Sequence, residues 1–173
     1  MKQSSQKAFK IAACEGTVRE ALDGQQYSLA ARTLRNMVRA NGVTPDTAPV
    51  LLNGLRVLLS QTPIEGLDLA DTMAVRMRRS GGSSVEQKRE MVATLQDFAA
   101  QRVRSGNAEG VSRSLEAANI VLKLCKNDPD LFAGEIAQAQ DVADQFGARM
   151  KEIADAQHMA YYSANPRRFP GWS

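Results

Sequence analysis

Apolar residues recur along this chain at steps of three and four, the spacing of one helix face, and nowhere in the strict alternation of a half-buried strand. The pattern is densest near the end. Phe132, Ile136, Ala139, Ala143, Phe146, Met150, Ile153, Gln157 and Ala160 alternate steps of four and three. That is a heptad seam on a helix about 45 Å long, with alanines small enough to let a second helix approach closely. Val111, Leu115, Ala118, Leu122 and Cys125 carry the same rhythm on the preceding segment. Only Asn127, Asp128 and Pro129 separate the two, so they are expected to fold back as a long C-terminal antiparallel helical hairpin. Pairing between subunits through the same seam is the alternative. Val50, Leu51, Leu52, Leu55, Val57, Leu58 and Leu59 make one segment apolar on most faces, which should sit centrally and obliges Arg56 to snorkel or pair.

Capping chemistry punctuates these runs. Thr17–Glu20, Thr62–Glu65 and Ser83–Glu86 have the Ser/Thr-x-x-Glu form, in which a hydroxyl accepts from a first-turn amide and the glutamate reaches back. Asn107 and Asp128-Pro129-Asp130 mark two further starts, while Gly24, Asn41-Gly42, Gly81-Gly82 and Gly106 mark stops. The expected helices lie near 4–22 (with a break at Gly16 open), 26–40, 47–60, 64–79, 84–105, 108–126 and 130–162. The fold class is therefore all-α, a compact bundle of about seven helices. Residues 1–164 are expected to form a single domain, and 165–173 an extended tail, because Pro166 and Pro170 cannot continue a helix.

Composition narrows the class without naming an activity. A chain of 173 residues can bury roughly 70% of its unfolded surface, so it needs neither disulfides nor a structural metal. Hydrophobic residues make up 43% and charged residues 24%, as in a soluble globular protein, and no run of eighteen apolar residues suggests a membrane span. Cys14 and Cys125 are far apart and form no CxxC pair, which fits a reducing compartment. Lys7 and Lys10 interrupt the apolar stretch that a secretory signal would need before Cys14, leaving the cytoplasm as the expected location.

Charge and aromatics are both unevenly placed. Residues 1–106 carry fifteen Lys/Arg against ten Asp/Glu, residues 107–165 five against nine, and the last eight residues add two arginines. Within the basic part, Arg76, Arg78, Arg79, Lys88 and Arg89 cluster around a Ser/Gly joint, and Arg32, Arg35 and Arg39 share one helix face. Both groups read most simply as solvated helix surface, and as phosphate contacts if they converge in space. Four of the nine aromatic residues fall in the last thirteen positions. Tyr162, Phe169 and Trp172, with Arg167 and Arg168, are the residue types favoured as interface anchors, so this segment is expected to dock on a partner or on another copy of the chain.

The ingredients of catalysis are sparse. His158 is the only histidine, and Asp155 one turn away is its only evident orienting group. No GxGxxG, phosphate loop or HExxH occurs, one histidine and two cysteines are too few for a conventional zinc site, and the methionines read as core filler. The expectation is a non-enzymatic helical assembly or adaptor protein with no cofactor, metal or membrane partner. The alternative is a nucleic-acid-binding helical protein using Arg32, Arg35, Arg39, Arg76, Arg78, Arg79, Lys88 and Arg89.

Overall fold

A computed structural model describes the backbone of residues 2–79, 83–104 and 107–164, and side chains from residue 10 onward except those of 162 and 164. The described residues form seven helices and no strand: α1 (Lys2–Asp23), α2 (Tyr27–Asn41), α3 (Ala48–Gln61), α4 (Pro63–Arg79), α5 (Val85–Val103), α6 (Ala108–Cys125) and α7 (Ala133–Ala164). None of them is long and apolar enough to cross a membrane.

The helix ends follow the local chemistry, with several corrections to the sequence reading. α1 runs unbroken through Gly16, and Thr17 does not open a helix. Its hydroxyl donates back to the Ala13 carbonyl at 3.2 Å, the option open to a threonine inside a continuous helix. The box before α5 sits one residue later than Ser83: the Ser84 hydroxyl accepts from the Gln87 amide, and the Gln87 side chain accepts from the Ser84 amide. Ser83 is drawn away because its hydroxyl donates to the Val43 carbonyl at 2.9 Å, tying α5 to the α2–α3 loop. Thr62 does not cap α4 with its side chain. Its amide and hydroxyl both turn back to the Leu58 carbonyl, and its own carbonyl accepts from Gly66.

Thr62 is thus the sole residue between α3 and α4. Gly66 makes so tight a joint possible, since a Cβ there would lie 2.6 Å from the Leu59 amide nitrogen. At the end of α1 the left-handed residue is Gln25 (φ 56°), one position beyond Gly24. The Gln26 amide reaches the Ala21 carbonyl and the Gln25 amide reaches Leu22, the two bonds of a Schellman motif. Asn107 caps α6 as its position implies, accepting from the Gly110 amide at 2.7 Å. α7 begins at Ala133, three residues later than expected, because Asp128–Phe132 form two overlapping turns first.

Cross-links set the helix directions. Ser28 donates to Glu65 and Arg35 pairs with Asp68, so α2 and α4 run the same way. Lys123 pairs with Asp71, and the Asn127 side chain donates to the Arg78 carbonyl, so α6 runs with them. Lys88–Asp128 and the Ser114 hydroxyl on the Ala99 carbonyl set α5 against α6. α3 lies among α1, α2, α4 and α5. Its Leu51, Leu52, Leu55, Leu58 and Leu59 are all buried, as an all-round apolar helix must be, and Arg56 on its outer edge pairs with Glu90 at 2.5 Å. One contiguous core runs from Val18 of α1 to Ala139 of α7.

Candidate functional site

The most unusual surface lies along α7. It has 32 residues where α6, its main neighbour, has 18, so about 20 Å of helix lacks a matching length of α6 beside it. Burial along the seam fades accordingly. Phe132 and Ala139 are buried, Ile136, Ala143, Phe146, Met150 and Ile153 are half-buried, and every residue from Ala154 to Tyr161 is exposed. Met159 and Tyr161, 65% and 50% exposed, are among the most exposed large apolar residues of the molecule.

The α6 start and the far part of α7 enclose a notch of about 570 Å³. Asn107 and Ala108 form one side, and Arg149, Glu152, Ile153, Ala156, Gln157 and Ala160 the other. Arg149 and Glu152 pair at 2.6 Å along its rim. The notch offers no reactive group.

Of the anchors expected from sequence, Arg167, Arg168, Phe169 and Trp172 lie outside the described residues, as does the side chain of Tyr162. Tyr162 belongs to the last turn of α7, and the other four come after that helix in the sequence.

The arginine groups are only partly brought together. Because α2, α4 and α6 run parallel, Arg39, Arg76, Arg78 and Arg79 sit at the end of the bundle where α5 begins with Lys88 and Arg89. α2 and α4 meet closely there, since a Cβ on Gly42 would lie 3.7 Å from Arg76 Nε. Arg32, Arg39, Arg79 and Arg89 are exposed and Arg78 is half-buried. Two members of the set are committed elsewhere. Arg35 pairs with Asp68 at 3.3 Å, and Lys88, only 13% exposed, holds Asp128 at 2.5 Å and so fixes the α6–α7 turn. Arg32 and Arg35 lie earlier on α2, away from this end.

A second concavity, of about 550 Å³, opens between α3 and α5. Arg56, Leu59 and Ser60 line it from one side, and Thr94, Asp97, Phe98, Gln101 and Arg102 from the other. The Arg102 guanidinium stands 5.4 Å from the Phe98 ring centroid, a cation–π distance. No pattern in the sequence points to it, because its two walls come from helices well separated along the chain and share no motif.

Reactive chemistry is muted. Among the described residues no group of three or more His, Cys, Asp and Glu could hold a metal ion. The Cys125 thiol is buried, and burial first, then the nearby carboxylate of Glu135, push it up from 9.0 to about 11 despite the opposing pull of Lys88. Such a thiol is a weak nucleophile at neutral pH. Neither family models, nor curated proteins, nor solved structures match the chain.

Proposed function

We propose that this chain is a non-enzymatic helical assembly or adaptor protein acting through protein–protein contacts in the cytoplasm. In this reading residues 1–164 are a single body, α6 and α7 are a rigid antiparallel hairpin, and residues 165–173 are an extended anchor. Tyr162, Phe169 and Trp172 bury in a protein partner or another copy, and Arg167 and Arg168 meet its acidic rim. The observation that carries the reading is the overrun of α7 past α6, an exposed length of helix from whose end the proposed anchor would extend. Light scattering coupled to size exclusion, together with pull-down, tests it on the full chain and on a chain ending at residue 164. The expected result is a smaller particle or loss of a partner on truncation. An unchanged mass with an unchanged set of bound proteins overturns the anchor.

A second reading rests on the gathering of Arg39, Arg76, Arg78, Arg79 and Arg89 at one end of the bundle. A nucleic-acid-binding helical protein would use them on phosphates, with affinity falling steeply from low to physiological salt. Charge reversal at Arg78 and Arg79 would then flatten the salt dependence, and absence of DNA or RNA retardation at low salt removes the reading.

A further inference from the structure

The end of the bundle that gathers Arg39, Arg76, Arg78 and Arg79 also carries two exposed aliphatic side chains, Val85 at 40% and Leu131 at 50% exposure. Local bonds place both there. Lys88, one turn after Val85 on α5, holds Asp128 at 2.5 Å, and the Leu131 amide donates to the Asp128 carbonyl at 3.1 Å, so the two flank one ion pair. The Asn127 side chain on the Arg78 carbonyl and the Ser83 hydroxyl on the Val43 carbonyl bring the ends of α4 and α2 to the same face. Charge at this end exceeds what the fold uses. One cation in the last turn answers the partial negative charge of a helix C-terminus, yet α4 ends on three arginines. Arg39, Arg89 and Lys126 stand exposed around them. Among the described residues the exposed acids of this end are Asp46, Glu86 and Asp130, while Glu90, a turn deeper, is held by Arg56. Cations therefore prevail even after Lys88 and Asp128 cancel.

We infer that this end is a peripheral docking face for an anionic lipid surface. Val85 and Leu131 enter the headgroup layer, and the arginines around them meet lipid phosphates and carboxylates. Charge complementarity supplies the attraction, each cation near such a surface adding to it. The two aliphatics select lipid among polyanions, because a nucleic-acid backbone gains nothing from them, whereas the headgroup boundary accepts apolar tips beside cations. Bases would call for a stacking ring instead, and Phe132, next to Leu131, is buried. The inference stands apart from the assembly reading and claims the arginines that the nucleic-acid reading also uses. It departs from the expectation of no membrane partner. That expectation rested on the lack of an apolar run long enough to span, which bears on crossing a bilayer and not on resting against one.

Co-sedimentation of the full chain with vesicles tests it, using phosphatidylcholine alone and phosphatidylcholine mixed with phosphatidylserine. Binding should require phosphatidylserine and weaken as salt rises. Val85→Ser/Leu131→Ser, which leaves every charge in place, should lower the affinity about tenfold with unchanged helical circular dichroism. Arg79→Glu/Arg89→Glu should abolish it. A chain ending at residue 164 should bind as the full chain does, and loss on that truncation overturns the inference by giving the contact to the tail. No binding at low salt overturns it, as does equal binding to neutral vesicles. So does binding that needs the arginines and ignores the serine substitutions, since such a surface would accept any polyanion. Retardation of DNA or RNA without vesicle binding sinks this inference and leaves the nucleic-acid reading standing. Vesicle binding without retardation does the reverse.

Discussion

The two halves of α7 are written in one rhythm and live in different surroundings. Near the α6–α7 turn Phe132 is fully buried and Ala139 nearly so; two turns beyond, Phe146 on the same seam is half-buried, and by Gln157 the seam is open to solvent. A heptad pattern therefore specifies which side of a helix is to be covered, and leaves open what covers it. The near half is held by the fold of this chain. The far half carries the same spacing and is exposed from Ala154 to Tyr161.

The largest expected difference between the halves is in packing. Phe132→Ala should lower stability by about 3–5 kcal/mol, the range for a buried aromatic, whereas Phe146→Ala should lower it by less than half as much in dilute protein. Equal losses, followed by denaturant melts of the helical signal, would mean that the far half is already covered. Next comes backbone room. Gly66→Ala drives a Cβ against the Leu59 backbone and should be destabilising by about 1–3 kcal/mol, while Gly147→Ala meets nothing within 4 Å and should gain up to about 1 kcal/mol from helix propensity.

Titration gives a smaller contrast, confined to the near half. Because the folded state holds the Cys125 proton up to about 11 and the unfolded chain releases it near 9.0, unfolding is increasingly favoured as pH rises through that window. Stability should be unaffected by this group below pH 9 and decline toward pH 11, and Cys125→Ala should flatten the decline. Native-state alkylation should mark the half-buried Cys14 well before Cys125. Smallest is the ion-pair comparison: Lys88→Ala, at a pair mostly shielded from water, should be destabilising by about 1 kcal/mol or more, and Arg149→Ala, at an exposed pair, by less than about 0.5 kcal/mol. A reversal would make the notch rim structural.

Seven helices, their approximate limits and the central place of α3 could be read from periodicity and caps, because those signals are local. The errors arose where a distant residue competed for a local group. Ser83 fits a box with Glu86 until Val43, forty residues earlier, takes its hydroxyl. Arg35 and Lys88 look like solvated cations until Asp68 and Asp128 arrive from other helices. Gln25 in place of Gly24 at the left-handed position is set by the turn into α2, which residue type alone does not fix. The overrun of α7 could have been anticipated from the unequal lengths of the last two helical patterns. The α3–α5 cleft could not, since it depends on how two helices cross.

Among the described residues, the core that unites these helices is made of leucine, methionine, valine and alanine with one isoleucine, one cysteine and only two phenylalanines. The single tryptophan of the chain is Trp172. Selectively excited tryptophan emission of this protein therefore reports on the surroundings of residue 172 alone, and the tyrosines, Tyr27 against the core among them, must be excluded from the signal. A tryptophan transition that precedes the loss of helix would report a change around residue 172 and would not by itself establish a folding intermediate.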